Sequence, residues 1–491
     1  MTESDGQSVV FVVMDTVRKD RLSVYGYDRP TTPVLEGFAD EALRFDGAIA
    51  PAPWTLPVHA SLFTGLYPGQ HRANQENPYL EGATTLAETL SAAGYETACY
   101  SSNAWITPYT GLTRGFTDQD NFFEIMPGDL FSGPLARAWK TLNDNDTLRS
   151  IANRLVALGN VAHEYLAGSD RADSKTPQVI DRTIDFIDDA EGPYFAFINL
   201  MDAHLPYHPP EEYKTEFAPG VDSAEVCQNS KEYNAGARTI DDEEWTAIKG
   251  LYDAEIRHID AELGRLFDWL RANGEWDDTM VVVCADHGEL HGEHGLYGHE
   301  FCIYDPLVNV PLLIKHPSLG TGTNTEQLEL IDLYHTVLDQ AGVDAQGTDV
   351  PLNRDRSIIA DGYDPGEHAF IEYFRPVVEL QQLETKAKKA GITLDPDSRF
   401  YSRMRAARRA DAKYIRNERI PDEFYRLDED PGETDDRAGE GDPAEDELAS
   451  ALAEFEGAVG GPWGETAEAD DVLEDMSDQA QDRLRDLGYL E

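Results

Sequence analysis

Asp286 and His287 stand side by side in "VVVCADHGELHGEHGLYGHE" (281–300), directly after a run of apolar residues. A carboxylate next to an imidazole on a tight turn can bind one divalent ion from two sides. A hard oxygen with a borderline nitrogen suits Mn²⁺, Mg²⁺ or Zn²⁺. The bland alternative is a capped turn with solvated histidines. A second residue able to do chemistry is Thr55 in "APAPWTLPVHASLFTGLYPGQH" (50–71), at the start of an expected helix. A threonine hydroxyl is a weak nucleophile near neutral pH, and metal coordination is one way to activate it. Helix N–H groups would then hold the nonbridging oxygens of a phosphate or sulfate. The competing role for Thr55 is a plain N-cap; we expect it to be both cap and nucleophile. Asn103, in "CYSSNAWIT", is either an amide donor to an anionic oxygen or a turn asparagine.

The elements that must position these residues alternate. "SVVFVVMD" (8–15) reads as a buried parallel strand with Asp15 at its tip. "TLAETLSAAGYETACYSSN", "TPQVIDRTIDFIDDAEGPYFAFINLMDAH" and "YDAEIRHIDAELGRLFDWLRANGEWDDTMVVVCADHGE" each read as helix, turn, strand; in the last, Ile256, Ile259, Leu263, Leu266 and Phe267 recur at helical spacing. The pattern implies an α/β fold with a mostly parallel sheet flanked by helices, with Asp15, His204 and Asp286 converging beyond the strand ends. We expect a catalytic domain over 1–390, a small antiparallel α+β subdomain over 391–435 and an acidic tail over 436–491. In that tail, short helices start after Asp442 and at Ser477.

With 40 Lys plus Arg against 93 Asp plus Glu, the formal charge is −53, spread along the chain. Such a field repels phosphate backbones and anionic lipid, so no nucleic-acid or membrane partner is expected. It suits a salt-filled, halophilic cytoplasm, where charges are screened over short distances. Cys99, Cys227, Cys284 and Cys302 have no paired spacing and suggest neither a zinc ribbon nor a disulfide framework. The opening "MTESDGQ" does not read as a leader, and no apolar run is long enough to span a bilayer. The expected location is cytoplasmic; the oligomeric state is not legible.

Five stretches, "VVMDTVRKDRLSVYGYDRPTTPVLEGFA", "APAPWTLPVHASLFTGLYPGQH", "NLMDAHLPYHPP", "ADHGELHGEHGLYGH" and "LELIDLYHTVLDQAGV", occur in an order and spacing that resembles the sulfatase family of the alkaline phosphatase superfamily. The later phrases "YRLDEDPGE" and "DRLRDLGYLE" look like that family's C-terminal motifs. The resemblance implies an alkaline phosphatase-like fold and a metal site of Asp15, Asp286, His287 and Thr55, with Thr55 as nucleophile. It further implies His204 as general acid, and places His299 and His59 where many sulfatases have a lysine and an arginine that contact the substrate anion. Protonation of either histidine would make activity vary between about pH 5 and 8.

The departures matter. Sulfatases proper oxidise a cysteine or serine to formylglycine, but the methyl of Thr55 would make oxidation yield a ketone, so no formylglycine is expected. Thr16 stands where many sulfatases carry a second carboxylate. One divalent ion is expected, Mn²⁺, Mg²⁺ or Ca²⁺ with Zn²⁺ possible; Asp202, His204 and His294 are candidates for a second. Arg18 and Asp20 read as surface or supporting residues, and His208, His291 and His316 as solvated or packed.

The reading is a metal-dependent hydrolase of an anionic sulfate, phosphate or phosphonate ester acting through Thr55. The alternatives are a phosphoglycerol- or phosphoethanolamine-type transferase with a soluble glycan acceptor, and an inactive module that binds an anionic glycan.

Overall fold

A computed structural model describes residues 7–74, 76–122, 174–461 and 463. The strands in chain order are β1 (Ser8–Met14), β2 (Leu43–Ile49), β3 (Glu96–Ser101), β4 (Asp118–Asn121), β5 (Tyr194–Leu200), β6 (Thr279–Cys284), β7 (Leu290–His291), β8 (Tyr297–Gly298), β9 (Asn309–Lys315) and β10 (Gly322–Glu329), followed by β11 (Ala369–Tyr373), β12 (Met404–Arg409), β13 (Ala412–Asn417) and β14 (Glu423–Arg426). An eight-stranded sheet runs β10-β2-β9-β6-β1-β5-β3-β4. It is parallel throughout except for β9, which is antiparallel to both its neighbours.

β1 sits between β5 and β6, with Met14 beside Leu200 and Val13 beside Cys284. Their C-terminal ends therefore share one rim. Asp15, the turn 201–204, Asn103 after β3, and Asp286 with His287 after β6 all emerge there, the usual place for a ligand in an open parallel sheet. The strands are continuous apolar runs because both faces are covered; Val9, Val10, Val12 and Val13 are fully buried. Helices 176–189 and 242–273 pack against each other, and helices 55–64, 86–92 and 332–340 form a second group. Ile256, Ile259, Leu263, Leu266 and Phe267 are all buried.

A second, four-stranded antiparallel sheet, β11-β12-β13-β14, follows. Its first strand, β11, lies ahead of the expected boundary at 391. Helix 443–459 starts on the Asp442 cap with Pro443 in its first turn, as the sequence predicts, but it is not a solvated tail element. Ala444, Leu448, Leu452, Phe455 and Val459 recur on one face and bury against the small sheet, with the Phe455 and Phe370 rings stacked at 4.3 Å. The helix expected from Ser477 lies outside the described residues. All four cysteines are buried and free. Among the described residues no helix is long and apolar enough to cross a membrane.

Candidate metal and nucleophile site

Asp15, Asp286 and His287 place ligand atoms within 4.8 Å of one another. Each carboxylate has one oxygen tied down and one left over. Asp15 Oδ2 accepts from Asn103 Nδ2 at 2.8 Å and Asn199 Nδ2 at 3.1 Å. Asp286 Oδ1 accepts from the backbone N–H of His287 at 2.9 Å and of Thr16 at 3.2 Å. Asp15 Oδ1 and Asp286 Oδ2 are buried and accept nothing from the described residues. His287 donates Nδ1–H to the Gly288 carbonyl at 3.0 Å, which leaves the Nε2 lone pair for a ligand. Two orphaned oxygens beside an imidazole nitrogen that carries a lone pair fit a divalent cation, because buried carboxylates without a partner are costly.

Thr55 lies against this cluster, with Oγ1 3.2 Å from His287 Nε2. It is not the N-cap. Trp54 occupies that position in extended conformation, Thr55 is the first helical residue, and no side chain caps the helix. A capping hydroxyl accepts from the second or third N–H beyond it. For Thr55 these are Pro57, which has none, and Val58, whose N–H already bonds the Trp54 carbonyl. The local sequence thus releases the hydroxyl toward the metal cluster.

The histidines fall differently from expectation. His59 is fully buried, packed on Phe63 and Phe197, and donates Nδ1–H to the Thr55 carbonyl at 2.8 Å. Burial pushes it down to about 3, and His299 down to about 4, which works against the charge expected of this pair. His204 does reach the site, its ring 5.3 Å from that of His299, and burial lowers its pKa. Asn103 donates to Asp15 and meets Met201 Sδ at 3.1 Å, so its amide hydrogens are committed to orienting a ligand and not to a substrate oxygen. Asp202 receives the Thr176 hydroxyl, and His294 stacks on Tyr304 at 3.8 Å, so the proposed second-metal set is not assembled. His291 is packed, 3.0 Å from the Tyr207 hydroxyl.

Sequence reasoning missed Asn199, whose signal was an amide inside the otherwise apolar "YFAFINL". It also underrated Arg18. That side chain is buried, pairs with Asp20 and Glu293, and donates to the Glu289 carbonyl, tying the turn after β1 to the loop after β6. Thr16 adopts φ +58°, rare for a β-branched residue, which turns its N–H onto Asp286. Tyr252 donates to the Thr16 carbonyl at 2.7 Å and accepts from the Arg18 N–H at 2.8 Å, which holds that turn. Gly288 is required by space: a Cβ there would stand 2.0 Å from the Pro306 carbonyl oxygen.

Burial, reinforced for Asp15 by the neighbouring Asp286 charge, raises Asp15 to about 6; burial raises Asp286 to about 7. A raised carboxyl pKa favours the protonated folded form, so without metal the stability from these groups falls as pH rises from about 4 through 7. Metal needs both ionised. Mg²⁺ or Mn²⁺ should therefore bind roughly 10- to 20-fold more weakly at pH 6 than at pH 8 by the same linkage, and raise the melting temperature more at pH 8. Calorimetric titration at the two pH values checks this; equal affinities would refute it. His287, pushed down to about 4, is neutral throughout and adds no slope in that window.

The Sulfatase family profile matches residues 7–343. The chain is 25% identical over 406 residues to an arylsulfatase of Clostridium perfringens, covering 74% of this chain and 82% of the relative. It is 23% identical over 391 residues to a choline-sulfatase of Rhizobium meliloti, covering 75% of each. The solved phosphonate monoester hydrolase of Agrobacterium radiobacter superposes with a TM-score of 0.67 at 21% identity, over 92% of this chain and 96% of that one. The family match and these relatives make the chain a hydrolase of sulfuric or phosphoric esters. The chain belongs to the sulfatase family.

Proposed function

We propose that this protein is a metal-dependent hydrolase of sulfate, phosphate or phosphonate esters in which Thr55 itself is the nucleophile. The observation that carries this reading is the uncapped Thr55 hydroxyl, 3.2 Å from His287 Nε2 and beside two unpartnered carboxylate oxygens. Asp15, Asp286, His287 and Thr55 would hold the ion, which when bound lowers the hydroxyl pKa and offsets the charge of the ester anion. The first-turn amides of Thr55 and Leu56 can hold nonbridging oxygens.

The Thr55 oxygen forms a bond to phosphorus or sulfur as the bond to the leaving oxygen breaks, and the departing alcohol takes a proton from His204. His204 donates Nδ1–H to the Leu205 carbonyl at 2.6 Å, which leaves Nε2 as the proton-bearing nitrogen when the ring is charged. Water then attacks the same centre, the bond to Thr55 breaks, and the Thr55 oxygen is reprotonated. The sulfatases' formylglycine chemistry has no counterpart at a residue with a branched β-carbon.

Purified protein in molar KCl, supplied separately with Mn²⁺, Mg²⁺, Ca²⁺ and Zn²⁺, should turn over one or more of nitrophenyl phosphate, bis-nitrophenyl phosphate, a phosphonate monoester and nitrophenyl sulfate. Added glycerol should leave the free anion as product. Glycerol esters in its place would favour the transferase, and inactivity on every ester with every metal would overturn the proposal.

A further inference from the structure

The substrate of this site is an anion, and the chain that must admit it carries a formal charge of −53. In molar salt such a field is screened over about 3 Å, so only a cation in contact with the ester can select what else the ester carries. Arg375 is placed for that task. It lies in the connection between β11 and helix 377–389, and that connection is fastened at both ends to the loops around the reaction centre. At its start, the Glu372 N–H donates to the Pro51 carbonyl at 2.9 Å, four residues before Thr55. The Tyr373 hydroxyl accepts from the Phe301 N–H at 3.1 Å, two residues after His299. Tyr373 also shares a buried apolar cluster with Ile49, Leu290 and Leu296. At its other end, helix 377–389 packs on helix 230–234, whose Lys231 is ion-paired with Glu300.

The guanidinium differs from its neighbours. Arg403, Arg405 and Arg408, on or beside the strand that pairs with β11, hold Glu418 at 2.8 Å, Glu372 at 2.9 Å and Asp305 at 2.7 Å. Arg375 is half-buried, and no carboxylate of the described residues meets it at ion-pair distance. Glu76, whose charge it feels, pairs with Arg403 at 3.8 Å instead. In a chain with 93 acidic and 40 basic residues, an arginine left open here has its planar fork of donors to offer to a ligand.

We infer that Arg375 is a specificity-determining residue: it receives a second anionic group, a carboxylate or a further sulfate or phosphate, on the alcohol part of the ester. This rests on the reading of Thr55 and the ion as the reaction centre. The reacting group goes to the ion and the first amides of helix 55–64, and the second anionic group meets the guanidinium as a bidentate pair. Esters of uncharged alcohols are then the poorer substrates.

The test compares nitrophenyl phosphate and nitrophenyl sulfate with their ring-carboxylated counterparts, each carboxylate isomer separately, on Mg²⁺-loaded protein in molar KCl. At least one carboxylated ester should be favoured about tenfold in kcat/KM, through KM, the scale of one charge-assisted pair. Arg375→Ala should erase that preference and leave the uncarboxylated esters within about twofold, while Arg375→Lys should keep part of it. A preference absent in the wild type, or one that survives Arg375→Ala, overturns the inference. So does an equal loss on both kinds of ester, which marks a structural role. Calorimetric titration of Thr55→Ala protein with the same esters needs no turnover. There the carboxylated ester should bind about tenfold more tightly than the plain one, and adding Arg375→Ala should remove the difference. Missing turnover with that difference intact counts against Thr55 and leaves Arg375 standing; equal binding of the two esters overturns the inference.

Discussion

Thr55→Ala is expected to lower kcat by ~10³-fold or more on whichever ester the enzyme cleaves, the order of loss when a covalent nucleophile is removed. The substitution deletes the hydroxyl 3.2 Å from His287 Nε2 and leaves Asp15, Asp286 and His287 in place, so Mg²⁺ or Mn²⁺ affinity should change far less than turnover. No cap is lost, since Thr55 does not cap its helix. The melting temperature should therefore move little. Thr55→Ser keeps the oxygen and should stay within about tenfold of the wild type, because the reacting group is unchanged. Acid-quenched turnover of a phosphoester should leave phosphate on the peptide containing Thr55. Turnover in Thr55→Ala within tenfold of wild type, or sulfate hydrolysis that survives it, would show that another group attacks.

The second large effect concerns the whole molecule. With 93 acidic and 40 basic residues, pairing every Lys and Arg still leaves 53 carboxylates without a partner. They are not gathered in one place: Asp241, Asp242 and Glu243 start one helix exposed, Asp185, Asp188 and Asp189 line the outer side of another, and Asp446 and Glu454 face solvent on a third. Repulsion among them opposes the compact state. Screening shortens from about 10 Å at 0.1 M salt to about 3 Å at 1 M. We expect the melting temperature to rise by at least roughly 10 °C between 0.1 M and 2 M KCl, a shift that corresponds to about 10 kcal/mol in a chain of this size. Sucrose of equal osmolality should not reproduce the whole gain. A melting temperature that is flat or falling across that range would remove the halophilic reading.

Much of the site was legible because parallel strands announce their ends. A run of buried aliphatic residues closing on Asp15, and another closing on Asp286, both locate a rim, and the fold brings the two together with His204 as the alternation implies. The role of Thr55 was half legible. Its place at a helix start was right, while its failure to cap turns on Pro57, whose missing N–H is visible in the sequence once the question is put. Electrostatics was the less legible part. Nothing in the letters shows that His59 lies between two phenylalanine rings, where burial pushes its pKa down to about 3. The orienting amide of Asn199 and the Tyr252 brace on Thr16 depend on contacts 184 and 236 residues apart. Helix 443–459 was masked by its charge, although its buried Ala444, Leu448, Leu452, Phe455 and Val459 stand at regular helical intervals.

The small sheet reaches into the metal site through one short helix. Asp305, at the start of helix 305–308, is held by Arg408 at 2.7 Å and Lys413 at 3.2 Å, and its N–H donates to Glu433 at 2.5 Å. From that helix the Leu307 carbonyl accepts the Gly288 N–H at 2.8 Å, next to His287. Every candidate ligand is thus encoded before residue 300, but the residues that brace the loop carrying two of them come more than a hundred positions later. On the ribosome, the chain would hold all its reactive groups well before it holds the part that sets their spacing. An emerging chain stalled before residue 404 should accordingly bind Mn²⁺ more weakly than the finished one, and chemistry would wait on completion.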